Sequence, residues 1–255
     1  MGLMKTMDWD FNNQVILITG GTGALGSKVS ETFLDFSPKA IIITFRSETE
    51  MQELRTKIFD RRNKEQKENH HTLIEFMKAD ITHEDEVKKL ISNILEKFDQ
   101  VHVLANVVGG YIGGKSVSES SEEEWDKMML INLKSAFLIS KHVLASMKKM
   151  HFGKIVHVSS ATGAKANGND SAYAASKAGL IRLVESMAEE VRGLNININC
   201  ILPTIIDTES NRAAMPTANF STWIPPEELA KVICFLSSED SKVITGVALP
   251  TRGTS

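Results

Sequence analysis

The stretch SAYAASK, residues 171–177, sets a tyrosine four positions before a lysine, and Tyr173 is one of only two tyrosines in 255 residues. On a helix, positions i and i+4 lie one above the other. An ammonium beside a phenol favours the phenolate and lowers a pKa that is otherwise about 10, so Lys177 would bring Tyr173 toward general acid–base work at neutral pH. Ser160 ends the apolar run KIVHVSS (154–160), upstream of the pair. A hydroxyl there could hold a substrate carbonyl oxygen while Tyr173 protonates it. Taken alone, YAASK reads equally well as a surface Tyr–Lys pair on an amphipathic helix.

A second constellation is ITGGTGALGSKV (18–29), where Gly21, Gly23 and Gly26 satisfy G-x-G-x-x-G between an apolar run and a helix-like segment. That pattern gives a tight turn, a bare backbone for a pyrophosphate and a helix N-terminus whose free N–H groups attract anions. The plain alternative is a strand–helix turn. An acid about 20 residues further on would select NAD. That place holds Phe45, with Arg46 and Ser47 beside it. A guanidinium there suits a 2′-phosphate, so NADP(H) is favoured and NAD(H) remains possible; alternatively Arg46 stacks on adenine or faces solvent.

These residues need a scaffold. Aliphatic runs of strand length recur at QVILIT (14–19), AIIITF (40–45), TLIEFMKAD (72–80), VHVLANV (101–107), KIVHVSS (154–160), NININCILP ending at Pro203, and VALP (247–250). Helix-like segments fall between them, including 83–98, about 122–150, the YAASK helix and 225–238. Strands that read as continuous apolar runs belong to a parallel sheet covered on both faces. The pattern predicts an α/β fold: one doubly wound Rossmann-like domain over 1–255, with a seven-stranded parallel sheet. Ser121-x-x-Glu124 reads as a capping box at the start of the fourth long helix.

With the scaffold in place, the chain resembles the short-chain dehydrogenase/reductase family over nearly its full length. The resemblance is carried by TGGTGALG (19–26), AD (79–80), ANVVGG (105–110), INLKSAF (131–137), VSS (158–160), YAASK (173–177) and NCILPTIIDT (199–208). It implies hydride transfer between NAD(P) and a carbonyl or alcohol, with Asn132, Ser160, Tyr173 and Lys177 as the catalytic set. The lysine would also hold the nicotinamide ribose, and the asparagine would support a proton-relaying water. It further implies that Gly20, Gly21, Thr22, Gly23, Ala24 and Leu25 cradle the cofactor, that Asp80 and Ile81 meet the adenine, and that Asn106 lies beside the cofactor. Pro203, Ile206 and Thr208 would fix the nicotinamide amide.

The chain departs from the family's common motifs at Ala24, at NVVG (106–109), at Pro203-Thr204 and at the C-terminal ALPTRG. GGYIGG (109–114) and the segment 202–226 are similar to dihydropteridine reductase, but Ser160 is present and an acid for NAD is absent. The favoured reading is therefore a carbonyl reductase, with pterin reduction second and a non-catalytic NADP(H) sensor third. Tyr111 in GGYIGG could stack on a flat substrate or pack on neighbouring protein. The segment 209–224 could be a substrate lid or a fixed loop with its own small core.

Composition narrows the partners. Apolar residues make up 42%, and a net charge of −3 offers no global basic field for nucleic acid. The stretch RRNKEQKENHH (61–71) interleaves its charges and reads as a solvated helix end. Cys200 and Cys234 lie in apolar segments and read as buried thiols of a reducing compartment, so a cytoplasmic setting is expected. No metal-ligand spacing is present, and no uninterrupted apolar run approaches the roughly 18 residues of a membrane span. The N-terminus carries no apolar signal core, and Gly2 with Thr6 matches a myristoylation pattern too loose to weigh. Apolar residues on more than one face of the helices near 122–150 and 170–192 suggest a subunit contact, and the family resemblance implies a homodimer or homotetramer through them.

Overall fold

The computed structural model describes residues 9–65 and 71–253; Gly2, Thr6 and residues 66–70 of the basic stretch lie outside them. The aliphatic runs form β1 (Val15–Thr19), β2 (Ala40–Phe45), β3 (Leu73–Lys78), β4 (Val103–Asn106), β5 (Phe152–Val158), β6 (Asn195–Pro203) and β7 (Ala248–Thr251). They make one parallel seven-stranded sheet in the order β3-β2-β1-β4-β5-β6-β7. The helices are α1 (Ala24–Leu34), α2 (Glu48–Glu65), α3 (Glu84–Phe98), α4 (Glu122–Met128), α5 (Ser135–Met150), α6 (Ala161–Ala164), α7 (Ser171–Glu190), α8 (Glu209–Ala214) and α9 (Pro226–Ser237).

Alternate strand residues enter different cores, as strand geometry requires. Val15 and Leu17 pack in the layer containing α3, α5 and α7, whereas Ile16 and Ile18 pack in the layer containing α1, α2 and α9. Both sets are buried, which is why the strand sequences show no polar alternation. β3 differs because it is the sheet edge, and Leu73 there is 51% exposed.

The long fourth helix begins at the expected capping box: Ser121 Oγ accepts the Glu124 N–H at 3.1 Å, and the Glu124 carboxylate accepts the Ser121 N–H at 3.1 Å. It does not run as one α-helix. Met129–Lys134 forms a π-helical segment between α4 and α5, a widening found mainly at functional sites. By length and composition Glu122–Met150 could cross a membrane, which the search for uninterrupted apolar runs missed. Half of its most apolar window is buried in the domain, where Ile139, Val143 and Met147 enter the core.

After β1 the chain builds outward through β2 and β3, then returns to place β4 on the other side of β1. A crevice opens beyond the C-terminal ends of strands at such a reversal. The glycine turn lies there. A Cβ on Gly26 would stand 2.0 Å from the Gly20 carbonyl oxygen. Only glycine therefore lets α1 start this close to the end of β1.

Candidate active site

The crevice contains a cleft of about 320 Å³ whose walls include Gly20, Thr22 and Gly23 from the glycine turn, Arg46 and Ser47 after β2, and Asp80 and Ile81 after β3. Gly23 caps α1 without a side-chain bond, so the first N–H groups of that helix have no side-chain partner. These features fit a dinucleotide: a glycine turn, an uncapped helix N-terminus and a polar far end.

At that far end the Asp80 carboxylate accepts from the Thr82 backbone N–H at 3.0 Å and the Thr82 hydroxyl at 2.7 Å. Burial works against its charge, but the Thr82 bonds, Arg46 and His83 outweigh it and hold its pKa below the usual carboxylate value. Arg46 reaches Asp80 only at 3.9 Å, with its side chain 67% exposed. Glu50, from the first turn of α2, also lines the cleft and accepts from Thr22 Oγ1 at 3.0 Å. The strand-end position that sequence reasoning inspected holds no acid, yet the helix behind it delivers one. Only the folded path of 44–50 reveals this.

The YAASK pair lies on α7 as expected, with its lysine inward. Lys177 is 4% exposed, its ammonium donates to the Val158 carbonyl at 2.8 Å, and Nζ lies 5.9 Å from the Tyr173 ring centroid. The reading as a surface pair is therefore excluded. Ser160 caps α6, where its oxygen accepts the Thr162 N–H at 3.2 Å, and its hydroxyl lies near enough to Tyr173 to favour the phenolate. Asn132, in the π-helical segment, is 1% exposed. Its Oδ1 accepts from the Gly110 N–H at 2.9 Å, and its Nδ2 donates to the Gly110 carbonyl and to Ser176 Oγ, both at 3.0 Å. The Asn132 side chain thus clamps the glycine-rich loop to α7.

The expected lowering of the Tyr173 pKa does not occur in this form. Burial pushes it up; the Ser160 hydroxyl works downward and the Asp170 charge upward. Burial also pulls Lys177 down to about 8. Placing both groups beneath protein costs each its charged form, an effect the i, i+4 spacing does not carry.

One further expectation changes. The Asn106 side chain does not line the cleft; Val107, Val108 and Gly109 do. Asn106 Oδ1 accepts from Thr19 Oγ1 at 2.5 Å, its Nδ2 lies 2.9 Å from His157 Nδ1, and His157 Nε2 lies 3.0 Å from Ser140 Oγ. With the amide as donor, Nδ1 accepts and Nε2 carries the proton. Burial, then the Lys177 charge, pull His157 down to about 3, so it is neutral. The only sequence signal for this network is a lone histidine inside the apolar run KIVHV. Pro203 ends β6, and Ile206 and Thr208 follow it, with Thr208 capping α8 through a bond from Asn211 N at 3.2 Å.

The segment 209–224 carries its own packing. Asp207 binds Arg212 through both carboxylate oxygens, Arg212 lies over Phe220 at 4.9 Å, and Phe220 meets Trp223 at 4.7 Å. Ile206 and Ile224 bridge its ends. Any opening must move it as a packed unit.

A family model described as short chain dehydrogenase matches residues 14–219. The chain belongs to the short chain dehydrogenase family. Family and fold support an NAD(P)-dependent oxidoreductase acting on a carbonyl or alcohol group. Among curated members it is 32% identical over 181 residues to the 3-oxoacyl-(acyl-carrier-protein) reductase FabG of Thermotoga maritima, covering 68% of this chain and 73% of that one. It is 29% identical over 263 residues to an NAD-dependent glycerol dehydrogenase of Listeria innocua, covering 98% and 97%. The crystal structure of levodione reductase superposes with a TM-score of 0.84 at 25% identity, covering 95% of this chain and 97% of that one.

Proposed function

We propose that this short chain dehydrogenase is an NADP(H)-dependent carbonyl reductase, also able to run the reverse reaction, with Tyr173 as proton donor and acceptor. The observation that carries this reading is the buried Lys177 ammonium 5.9 Å from the Tyr173 ring centroid, held by the Val158 carbonyl, with the Ser160 hydroxyl near the same phenol. When bound, the nicotinamide cofactor supplies or accepts the hydride. Ser160 would hold the carbonyl oxygen by turning its hydroxyl proton to it, since its own oxygen already accepts the Thr162 N–H. Tyr173 gives its proton to that oxygen as negative charge develops there. Its raised pKa keeps the proton in place until then, which suits reduction. Lys177, fixed by Val158, stabilises the phenolate that results and binds the ribose.

Gly20–Leu25 would hold the pyrophosphate, Arg46, Ser47, Asp80 and Ile81 the adenosine, and Pro203, Ile206 and Thr208 the nicotinamide amide. Arg46 favours a 2′-phosphate and Glu50 opposes it, so NADP(H) is preferred with NAD(H) accepted. His157 is assigned a structural role, since both ring nitrogens are spent inside the sheet. The two curated relatives are named for different substrates, which supports the carbonyl–alcohol chemistry and leaves the molecule open. Exposed Trp125, Leu130 and Phe137 on α4 through α5 suit a homodimer or homotetramer contact. Two buried free thiols suit a cytoplasmic setting.

Oxidation of NADPH against a carbonyl panel tests the reading. Tyr173→Phe is expected to lose about 10²- to 10⁴-fold in kcat/KM, with NADPH binding, followed by fluorescence, unchanged. Undiminished turnover by this variant would sink the mechanism. Reduction of a quinonoid dihydropterin rests on the motifs of two loops, and the same assay with that compound separates it. Tight NADPH binding without turnover would revive the sensor reading.

A further inference from the structure

The chain has two tyrosines, and the fold brings them together. Tyr111 lies in the loop after β4, with its ring centroid 5.0 Å from that of Tyr173 and the planes at 81°. Its hydroxyl donates to Asp170 Oδ1 at 2.8 Å, immediately before α7. The Gly114 N–H donates to the Asn169 carbonyl at 2.8 Å and ties the two loops together beside that bond. A Cβ on Gly113 would stand 2.3 Å from Asp170 Oδ1 and 2.5 Å from the Tyr111 oxygen. A side chain there would have to displace the Tyr111–Asp170 pair.

Despite these anchors the Tyr111 residue is 62% exposed. A ring fixed at its tip, touched by Tyr173 and open over most of its surface adds little to the core. It does present a rigid aromatic surface beside the proposed proton donor. Burial and the Asp170 contact push the Tyr111 phenol up to about 12, so it remains a hydrogen-bond donor at working pH.

We propose that Tyr111 is a specificity-determining wall of the substrate space, selecting carbonyl compounds whose C=O is carried on a flat ring or conjugated framework, and that Asp170 is its positioning residue. The proposal rests on the reading of Tyr173 as proton donor. A group attached directly to a carbonyl held at the Tyr173 hydroxyl would lie beside the Tyr111 ring, whose centroid is 5.0 Å from that of the Tyr173 ring. Aromatic contacts operate at about 4.5–7 Å and favour a flat π surface. A flexible chain gains less and gives up more rotamer freedom. Because Asp170 already orders the Tyr111 ring, binding carries little further ordering cost.

The test pairs an aryl alkyl ketone with a straight-chain ketone of equal carbon number, using NADPH, and adds calorimetric binding of the corresponding aryl alcohol to the protein–NADP complex. Tyr111→Ala is expected to raise KM for the aryl ketone about tenfold more than for the straight-chain ketone. Tyr111→Phe keeps the ring and guards against a folding defect; it is expected to retain most of the aryl preference while losing a few-fold in affinity. Asp170→Asn, which keeps the acceptor, is expected to stay close to wild type, whereas Asp170→Ala follows Tyr111→Phe. Equal KM changes for both ketones in Tyr111→Ala, or aryl alcohol binding unchanged by it, overturn the proposal. The calorimetry does not depend on turnover. If Tyr173→Phe proves fully active, or the wild type reduces neither ketone, the mechanism fails while aryl alcohol binding still decides the role of Tyr111.

Discussion

Inside the sheet, Thr19, Asn106, His157 and Ser140 form a closed chain of hydrogen bonds across β1, β4, β5 and α5. At the rim, one turn of chain away, Ser160, Tyr173 and Lys177 form a cluster that is not closed. Both are polar groups in an apolar setting. In the first, both ring nitrogens of His157 are engaged, and burial holds the imidazole neutral at a pKa of about 3. In the second, the ammonium is buried with a carbonyl as its hydrogen-bond partner, and the phenol pKa is raised. A satisfied buried network rigidifies. A cluster left with an unspent donor and an unneutralised charge costs stability and is ready for a partner, as active sites commonly are. The same contrast recurs at the adenosine end, where Asp80 Oδ1 accepts two hydrogen bonds from Thr82 while Arg46 reaches Oδ2 only at 3.9 Å.

Substitutions can break that comparison, beginning with the largest effect. Lys177→Met is expected to cut kcat by about 10²- to 10³-fold and yet raise stability. The pKa of Lys177 in the folded chain, about 8, lies below its ordinary 10.5. The unfolded chain therefore binds more protons between those values, so wild-type stability is lowest below pH 8 and recovers as pH rises toward 10.5. The variant should be more stable by the order of 1–3 kcal/mol at pH 7, with the difference shrinking in urea titrations above pH 8. A variant less stable at pH 7 would mean that the ammonium is well compensated, and the contrast would collapse.

His157→Phe tests the closed side. It strands Asn106 and Ser140 and is expected to destabilise by about 2–4 kcal/mol, with wild-type-like KM for cofactor in the folded fraction. Because His157 titrates near 3 when folded and near 6.5 otherwise, wild-type stability falls as pH drops from about 6.5 toward 3. That acid limb should be shallower in the variant. A large kcat loss without loss of stability would move His157 from the scaffold to the chemistry.

At the adenosine end, Arg46→Asp is expected to raise KM for NADPH at least about tenfold more than KM for NADH. Glu50→Gln should act in the opposite sense by a few-fold, because it removes a carboxylate from the cleft while Thr22 keeps an acceptor. Equal effects on both cofactors, read by direct binding, would show that neither residue meets the 2′ position.

Much of this was legible beforehand, and unevenly so. Strand existence and parallel pairing could be read because residues such as Val15 through Ile18 are apolar on both faces. The capping box could be read because its chemistry is local. The Tyr173–Lys177 spacing could be read because helical period is local too. The π-helical break at Met129–Lys134 left no local mark, and neither did the use of Asn106 within the sheet. Glu50 left no mark at the end of β2, because the acid arrives from the next helix.

The sequence alone determined the architecture, the glycine turn, and which side chains could move a proton. Those follow from periodicity, turn chemistry and residue type, all of which act over a few neighbouring positions. Only the tertiary structure decided that Lys177 is buried, that the Tyr173 pKa moves up, that His157 is locked, and that Tyr111 stands against Tyr173 with Asp170 holding it. Each of these depends on what lies within a few ångströms across chain separations of up to 87 residues. Desolvation and directed hydrogen bonds are set by that three-dimensional company and by nothing in the local run of residues.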